Sequence, residues 1–446
     1  MTSRPVNRAV ALVFALPNEL RKHALFCPMR IEIINTGSEL LLGRVLNTHQ
    51  QWLCYGLSDL GYTVDRQVTV PDAGLAIQEA VREAMTRAEL ILVTGGLGPT
   101  SDDRTRDLLA ELLGLPLHED PAVLANIEHF FVQRRRPMPA STRVQALVPN
   151  GATVLMNAHG TAPGLVLDFP TPAANAPPGL LVLLPGPPRE LHPMFLEQVV
   201  PAIQRRFPIG EGTFACRTLK TTGLGESLVE ERIRGPLEPL VQAGLEIGYC
   251  ARVGEVDVRL VAHHERATEQ VAEAERLARS LLGELVFGTD ADTFESVLIR
   301  VLTEKRQTLA LAESCTGGWI ANRLTNVPGA SAVLLAGLVP YSNEAKQQFL
   351  GVRPETLATY GAVSEEVARE MAEGARTRTG SDYAVSVTGI AGPTGGTEDK
   401  PVGTVWMAVA SSGKTIAKRR LNPYDRETFK SVTSQQALDL LRRNIR

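Results

Sequence analysis

The stretch ELILVTGGLGPTSDD, at residues 89–103, joins an apolar run to a glycine-rich turn and an acidic segment. The apolar run predicts a buried strand, and the residues after the glycines predict a helix over 102–113. Upstream of this stretch, the same patterns predict two strands and two helices, over residues 31–36, 63–70, 43–61 and 74–87. Such alternation indicates an α/β fold in which helices cover both faces of a parallel sheet.

The length and charge of the chain limit what surrounds this domain. With 446 residues the chain exceeds the size of one hydrophobic core, and two or three domains are expected. The 46 basic and 49 acidic residues leave a net charge of -3, so we expect neither direct nucleic-acid binding nor membrane binding. The basic run Arg134–Arg136 is typical of a solvated surface.

Patterning along the chain predicts four segments. Residues 1–28 are expected to be a disordered extension or the product of a misassigned start, and residues 29–204 to form the first α/β domain. Residues 205–289 show the order β-α-β-β-α-β of a small KH-like α+β domain, and residues 290–446 form a second α/β domain. The middle segment lacks the GxxG loop with which KH domains hold RNA, which favours a scaffold or spacer role.

Cysteine usage indicates the compartment. The five cysteines are scattered, odd in number and without a CxxC pair. This pattern argues against a disulfide framework and against a structural zinc site. A reducing, cytoplasmic location is therefore expected.

The strongest chemical signal lies at residues 309–318, LALAESCTGG, where Ser314 follows a predicted strand and precedes a helix. A hydroxyl there lies beside helix amides that can hold a developing oxyanion, although Ser314 can equally be a simple helix cap. Because no histidine follows His264, an in-domain Ser-His pair is excluded. Cys315, the rival nucleophile, is expected to be a small buried residue.

Lys346 is the candidate base for Ser314. It follows an apolar run at residues 332–339 that predicts a buried strand. A lysine in a partly desolvated site has a lowered pKa and can accept a proton from serine. The alternative is an exposed helix lysine paired with Glu344 or Glu366.

A glycine-rich loop, GIAGPTGGT at residues 389–397, follows a predicted strand over 383–388. Glycine removes the Cβ atom that would keep a phosphate away from backbone amides, so the loop is a candidate phosphate site. It matches neither the Walker A motif nor GxGxxG, and a merely flexible loop is the alternative. Arg426 can add a charge-assisted phosphate contact, or can be an ordinary surface arginine.

Four motifs in this half, AESCTGG, VPYSNEAK, SVTGIAGPTGG and PVGTVW, resemble the C-terminal domain of the CinA family, the nicotinamide mononucleotide deamidases. The resemblance implies that Ser314 and Lys346 form the catalytic pair and that no metal or redox cofactor is needed. It further implies that Tyr341, Thr388, Gly389 and Gly392 line the nucleotide site and that Arg426 contacts the phosphate. Pro340 departs from the family pattern, which often has a small or apolar residue there.

In the first α/β domain, the turn at residues 95–103 is the candidate site. Its glycines, Gly95, Gly96 and Gly98, and the neighbouring Thr100 suit a bound phosphate, and Asp102 and Asp103 can hold a divalent metal through oxygen ligands. The alternative is that Thr100 or Ser101 caps the helix while the aspartates favour its positive end.

Together with NTGSELLLG at 35–43, Pro71-Asp72, NAHGTAPG at 157–164 and PGPPRE at 185–190, this half resembles the molybdopterin-binding (MoCF) fold of full-length CinA proteins. The resemblance implies a three-layer domain with ADP-ribose pyrophosphatase activity. It places Asp72, Asp102 and Asp103 at a nucleotide and metal site, with Mg²⁺ as the expected ion. It also implies a homodimer.

The two resemblances together predict an enzyme of pyridine-nucleotide salvage, whose partners are the small nucleotides nicotinamide mononucleotide and ADP-ribose. Two alternatives stay open. The first is a molybdopterin-handling enzyme, because a fold does not determine a substrate. The second is a non-catalytic accessory protein of competence or DNA repair.

Overall fold

The computed structural model describes residues 29–171, 177–210 and 212–445. The extension predicted at residues 1–28 lies outside this range, as does most of the loop expected at 170–178. The chain divides after Gly210 into two compact units. Among the described helices, none combines the length and apolar character that crossing a membrane requires.

The first unit contains a six-stranded sheet and a separate two-stranded sheet. Its strands are β1 (Ile31–Thr36), β2 (Val64–Val70), β3 (Leu90–Thr94), β4 (Leu117–Glu119), β5 (Leu147–Pro149), β6 (Thr153–Leu155), β7 (Gly164–Phe169) and β8 (Gly179–Leu184). The large sheet has the order β2-β1-β3-β8-β7-β6, and β2, β1, β3 and β8 run parallel.

Helices cover this sheet on both faces. They are α1 (Ser38–Leu41), α2 (Thr48–Asp59), α3 (Gly74–Met85), α4 (Thr105–Leu112), α5 (Pro121–Gln133), α6 (Pro188–Met194) and α7 (Val200–Arg206). Alternate residues of β1 supply two separate cores: Ile34 packs in one, and Ile31 and Ile33 pack in the other. Strand residues alternate between faces, so a strand with a core on each side is apolar throughout. The predicted three-layer α/β domain is confirmed.

Two helices of this unit begin later than the sequence predicted. The helix expected from residue 43 begins at Thr48, because the Asn47 side chain accepts a hydrogen bond from the Gln50 amide at 3.1 Å. Residues 42–46 precede it as a turn-containing loop with Leu42 and Leu46 exposed. The helix expected from residue 102 begins at Thr105, and Arg104 occupies the cap position. The interpretation that Thr100 or Ser101 caps this helix is therefore wrong.

The second unit begins with the middle domain. Its strands are β9 (Ala215–Thr222), β10 (Leu245–Arg252), β11 (Glu255–Ala262) and β12 (Val286–Thr289), and its helices are α8 (Glu226–Gln242) and α9 (Ala267–Leu282). The strands form an antiparallel sheet in the order β10-β11-β9-β12. The two helices pack against the sheet through one shared core. The predicted β-α-β-β-α-β order of a KH-like domain is confirmed.

The C-terminal domain follows in the same unit, with a five-stranded sheet of order β14-β13-β15-β16-β17. Its strands are β13 (Leu309–Glu313), β14 (Leu334–Leu338), β15 (Tyr383–Gly389), β16 (Thr404–Ser411) and β17 (Lys414–Leu421). Its helices are α10 (Phe294–Glu304), α11 (Trp319–Thr325), α12 (Asn343–Leu350), α13 (Pro354–Tyr360), α14 (Glu365–Thr379) and α15 (Arg426–Arg442). β14, β13 and β15 run parallel, so their carboxyl ends meet at one edge.

One strand of this domain differs from its prediction. The run at 332–339, expected to be a buried strand, is the edge strand β14, whose residues are alternately half-exposed and exposed. An edge strand has a neighbour on one side only, which leaves its side chains more open to solvent.

Candidate active sites

Ser314 lies at the carboxyl end of the parallel strands of the C-terminal sheet. It is the first residue after β13, and its N–H donates to the carbonyl oxygen of Val387 in the adjacent strand β15 at 2.9 Å. This bond anchors the serine backbone between two central strands. The edge at which it lies is where open α/β sheets bind their ligands.

Lys346 reaches Ser314 from the first half of α12. Its side chain is 2% exposed, and Nζ lies 3.3 Å from Ser314 Oγ, 3.0 Å from the Pro340 carbonyl oxygen and 3.2 Å from the Tyr341 carbonyl oxygen. The alternative of an exposed lysine paired with Glu344 or Glu366 is wrong.

Burial also changes the protonation equilibrium of Lys346. Desolvation lowers its pKa from the ordinary lysine value, against a smaller opposing effect of Cys315 and Glu344. A neutral amine has two N–H groups and one lone pair. Nζ donates in all three contacts, to Ser314 Oγ and to the Pro340 and Tyr341 carbonyl oxygens. In the neutral amine, two N–H groups would serve the carbonyl oxygens and the lone pair would face the Ser314 hydroxyl.

Glu313, which sequence reasoning missed, holds the loop that carries Ser314. Its side chain is 1% exposed and accepts hydrogen bonds from three backbone amides, those of Gly318 (3.1 Å), Ile320 (3.0 Å) and Ala321 (2.8 Å). A carboxylate at a helix N-terminus is favoured by the unpaired amides and by the helix dipole. Glu313 therefore caps α11, and the interpretation of Ser314 as its cap is wrong. The one available signal was an acidic residue that ends an otherwise apolar strand.

The same contacts correct the expected source of an oxyanion site. The amides of Gly318, Ile320 and Ala321 are occupied by Glu313, so this part of the helix is not free to hold an oxyanion. Cys315 and Thr316 follow Ser314 directly, and their amides are not among those that Glu313 accepts from. Cys315 itself is buried, and burial raises the pKa of its thiol to about 12. The expectation that Cys315 is a small buried residue is confirmed.

Arg426, Tyr341 and Gly392 are brought together beside the pair. Arg426 donates from Nη1 to the Gly392 carbonyl oxygen at 2.9 Å and from Nη2 to the Tyr341 hydroxyl at 3.0 Å. The Tyr341 side chain is 61% exposed, and Arg426 is exposed as well. These two side chains can therefore contact a ligand from solvent.

Thr388 and Gly389 are held in place by a hydrogen bond and by close packing. The Thr388 side chain is 1% exposed, and its hydroxyl donates to the Ala362 carbonyl oxygen at 2.7 Å. A Cβ atom on Gly389 would lie 2.9 Å from the Thr404 carbonyl oxygen, so a side chain there would displace β16. Both residues shape the wall of the site through packing, and Thr388 presents no free hydroxyl donor to a ligand.

The first unit contains a cavity of about 640 Å³ at the carboxyl ends of β1, β3 and β8. Its lining includes the predicted site residues Asp72, Gly95, Gly96, Gly98, Asp102 and Asp103. Gly96 has a positive φ of 66°, and a Cβ atom on it would overlap the Thr105 hydroxyl. The backbone of this turn is thus the surface that faces the cavity.

The predicted acidic residues occupy distinct positions at this cavity. Asp72 accepts from the Ser38 amide at 2.9 Å, and the Asp72 amide donates to Ser38 Oγ at 3.3 Å. Asp103 accepts from the Thr100 amide at 3.0 Å and from the Thr100 hydroxyl, so Thr100 is linked to the cavity wall through Asp103. A hydrogen bond from Thr100 lowers the pKa of the exposed Asp102 carboxyl.

The number and type of the acidic side chains decide whether they can hold a metal ion. Among the residues that the structure describes, no group of three or more His, Cys, Asp or Glu side chains could hold a metal ion. Asp102 and Asp103 alone are an incomplete cage, but Mg²⁺ commonly uses one or two carboxylates together with water and substrate phosphates. The pair therefore fits a metal that arrives with a phosphorylated substrate.

Two cavity residues were not foreseen from the sequence. Gln145 is buried and donates to the Leu97 carbonyl oxygen at 3.0 Å, while its Oε1 atom has no partner among the described residues. The buried Glu190 accepts from Asn157 Nδ2 at 2.7 Å. Both come from segments distant in sequence from the glycine turn; Glu190 ends the PGPPRE motif at 185–190, whereas Gln145 lies in none of the motifs quoted from the sequence.

Family profiles match three consecutive parts of the chain. Residues 32–205 match a family described as "Probable molybdopterin binding domain", residues 216–288 a "Damage-inducible protein CinA KH domain", and residues 291–445 the "CinA C-terminal domain". These ranges correspond to the first unit, the middle domain and the C-terminal domain of the structure.

Individual proteins match over almost the whole chain. A Moorella thermoacetica protein named as competence-damage inducible is 45% identical over 94% of this chain and 99% of its own length. A "CinA-like protein" of Akkermansia muciniphila is 46% identical over 92% of this chain and 96% of its own length. A solved structure of a competence/damage inducible protein from Agrobacterium tumefaciens covers 34% of this chain and 92% of its own, with 42% identity and a TM-score of 0.33. From this near full-length similarity, the chain belongs to the CinA family of competence-damage inducible proteins.

Proposed function

We propose that the C-terminal domain is a Ser–Lys amidohydrolase that converts nicotinamide mononucleotide and water to nicotinic acid mononucleotide and ammonia. The observation that carries the proposal is the buried Lys346 amine, 3.3 Å from the Ser314 hydroxyl and held by two carbonyl oxygens. A lysine with a lowered pKa next to a serine is an arrangement suited to nucleophilic acyl transfer.

The reaction begins when the neutral Lys346 amine takes the Ser314 proton and the serine oxygen attacks the carboxamide carbon. The resulting oxyanion accepts hydrogen bonds from the Cys315 and Thr316 amides. Protonated Lys346 then gives its proton to the departing nitrogen, so ammonia leaves and a serine ester forms. Lys346 deprotonates a water molecule, which attacks this ester and releases the product carboxylate. Lys346 then returns its proton to the Ser314 oxygen, which restores the hydroxyl.

The exposed groups beside the pair account for substrate binding. Arg426 can form a charge-assisted contact with the phosphate, and it already holds the Tyr341 hydroxyl and the Gly392 carbonyl oxygen. All reacting protons are handled by Ser314 and Lys346, so this half of the chain needs no cofactor.

The test is ammonia release from nicotinamide mononucleotide by the full chain, by Ser314→Ala and by Lys346→Ala. Removal of the nucleophile or the base is expected to lower kcat by about 10³-fold or more. Ser412→Ala and Lys414→Ala, which change exposed residues at the β16–β17 turn, are matched controls and should stay within about twofold of wild type, as surface changes usually do. EDTA should have no effect.

Two results would contradict this function: a wild-type protein that releases no ammonia, or Ser314 and Lys346 variants as active as the controls. Either result would favour a non-catalytic accessory role in competence or DNA repair.

For the first unit, we propose a metal-dependent ADP-ribose pyrophosphatase. The glycine-lined wall, the cavity volume of about 640 Å³ and the paired carboxylates Asp102 and Asp103 support it. The Gly95 amide donates to the Leu184 carbonyl oxygen at 3.0 Å, so the amides of Gly96, Leu97 and Gly98 would face the diphosphate. The two carboxylates would hold the ion. When bound, Mg²⁺ would neutralise phosphate charge and lower the pKa of an attacking water.

The test of this second activity is the release of AMP and ribose 5-phosphate from ADP-ribose. EDTA and the double variant Asp102→Asn with Asp103→Asn should each lower the rate by roughly 10²-fold or more, because metal-ion charge stabilisation contributes several kcal/mol. Glu128→Gln, which removes one negative charge from the exposed side of α5, is the control for a loss of surface charge. A rate that survives both EDTA and the double variant would reject the metal site. No turnover by wild type with Mg²⁺ present would favour a molybdopterin-type substrate.

A further inference from the structure

A second large cavity lies within the second compact unit, between the middle and C-terminal domains. Its volume is about 640 Å³. The middle domain contributes the loop at residues 222–226 and the β10–β11 turn, and the C-terminal domain contributes β17 and α15. This volume is typical of sites that take a small organic ligand. Neither Ser314 nor Lys346 lines it.

Positive charge is concentrated on one wall of this cavity. Lys418 and Arg420 lie two residues apart on β17 and therefore on the same face of the strand. Within the described ranges, neither side chain has a carboxylate partner, whereas the nearby Arg443 is paired with Asp439 at 2.7 Å. Burial and the charges of Arg420 and Arg443 lower the pKa of Lys418. An anion between these cations would relieve their repulsion.

The opposite wall presents backbone rather than side chains. The loop Gly223–Gly225 leads into α8, a helix of 17 residues whose cap residue, Gly225, has no side chain to occupy its first amides. Gly223 has a positive φ of 91°, and a Cβ atom on Gly225 would meet only open space. A phosphate can thus approach these amides closely, on the positive end of the helix dipole.

The rest of the lining combines apolar, aromatic and charged side chains, and it includes the carboxylates of Glu226, Glu255 and Asp439. Tyr424 is 50% exposed and lies next to β17, and Leu224 and Val253 are contributed by the middle domain. An exposed aromatic ring beside cationic groups suits a flat heterocycle attached to a phosphate, because bases stack on such rings.

We propose that this cavity is a separate binding site for a small nucleotide, with the phosphate between Lys418, Arg420 and the Gly223–Gly225 loop and the base against Tyr424. The three features are contributed by both domains, so the site exists only in their packed arrangement. The proposal does not depend on the reactions proposed at Ser314 or at the Gly95–Gly98 turn.

The test uses the full chain and adenosine 5′-monophosphate as the probe, with binding measured by calorimetry and located by hydrogen exchange. The nucleotide should slow exchange at residues 223–229 and 415–424. The double variant Lys418→Ala with Arg420→Ala should lose this protection and weaken that binding event by about tenfold or more, the effect expected for charge-assisted hydrogen bonds. Arg419→Ala, which removes one positive charge from the opposite face of β17, is the control for a change of charge on this strand.

Adenosine, which lacks the phosphate, should bind at least about tenfold more weakly than the nucleotide, because it cannot engage the cations. Ammonia release at saturating substrate should be unchanged in the double variant. The proposal is overturned if protection appears only in the first unit or near Ser314, if the double variant binds like Arg419→Ala, or if adenosine binds equally well. Binding of a single-stranded oligonucleotide that the mononucleotide does not displace would likewise reject a small-molecule site.

Discussion

The two candidate active sites of this chain lie at the same place in their folds, the carboxyl ends of a parallel sheet, but they are built in opposite ways. In the C-terminal domain, Glu313, Ser314 and Lys346 are held by hydrogen bonds to the chain itself. In the first unit, the cavity is lined by glycine backbone, and its carboxylates Asp102 and Asp103 are exposed or half-exposed.

The difference follows from the chemistry that each site supports. A serine nucleophile is activated only if its base is within hydrogen-bond reach, so the protein must hold that geometry. A phosphate site can leave space, because substrate and metal bring the charges that complete it. Burial is therefore expected to control the activity of the serine site, and the supply of substrate and metal ion to control that of the phosphate site.

The largest expected effect comes from removing the carboxylate that holds each site. Glu313→Ala leaves one buried and two half-buried amides without their acceptor and should lower the free energy of unfolding by about 3–5 kcal/mol. Asp103→Ala, at a more exposed carboxylate, should cost less than about 1 kcal/mol.

Urea denaturation followed by tryptophan fluorescence measures this contrast. In a Trp52→Phe background, the signal for Glu313→Ala comes from Trp319 and Trp406 in the C-terminal domain. Glu313→Gln, which keeps one acceptor oxygen, should lose less than Glu313→Ala. Asp103→Ala is followed in the chain that retains Trp52. If it lowers the free energy of unfolding as much as Glu313→Ala does, the expected difference between the two sites is contradicted.

The next effect is in the pH dependence of the two reactions. The base form of Lys346 is neutral, so ammonia release should rise with pH, up to about tenfold per unit, until Lys346 has lost its proton. Because burial lowers the pKa of Lys346, this rise should end below the ordinary lysine value. The pKa of Asp102 is lowered, so this carboxyl is ionised at every pH above the ordinary aspartate pKa. ADP-ribose cleavage should therefore not show this rise. Parallel profiles of kcat against pH for both substrates check the prediction, and a flat ammonia profile would exclude Lys346 as the base.

The smallest effect distinguishes a wall residue from a ligand contact. Thr388→Val removes the hydrogen bond to the Ala362 carbonyl oxygen and should cost about 1 kcal/mol of stability. Because that hydroxyl is directed away from the ligand, the KM for nicotinamide mononucleotide should change by less than about twofold, as for a residue outside direct contact. Steady-state kinetics and urea denaturation of the same variant decide this. A large rise in KM with unchanged stability would make Thr388 a direct substrate contact.

The spacing of apolar residues and the positions of glycine turns predicted the order of strands and helices well. The alternation of apolar runs and glycine turns in the first unit, and the β-α-β-β-α-β order of the middle domain, are local patterns that burial enforces along each strand. Helix starts were less predictable. The helix expected from residue 43 begins at Thr48 because a single side chain, Asn47, caps it.

Residue chemistry alone pointed to Ser314 and, by the absence of a later histidine, to a lysine base. Sequence also determined that neither a Walker A motif nor a GxxG loop is present, since these are local patterns. Whether Lys346 was a surface lysine or a buried base could not be read in this way, because its burial depends on α12, the segment before it and Ser314 meeting in space.

Tertiary structure alone decided the roles of residues that act across the fold. Glu313 is recognisable as a cap only when its carboxylate is seen against the α11 amides. The orphaned Gln145 oxygen and the cavity beside Lys418 and Arg420 likewise arise from segments far apart in the chain. The physical reason is that desolvation and hydrogen-bond partners depend on three-dimensional neighbours, whereas strand and helix patterns depend on neighbours along the sequence.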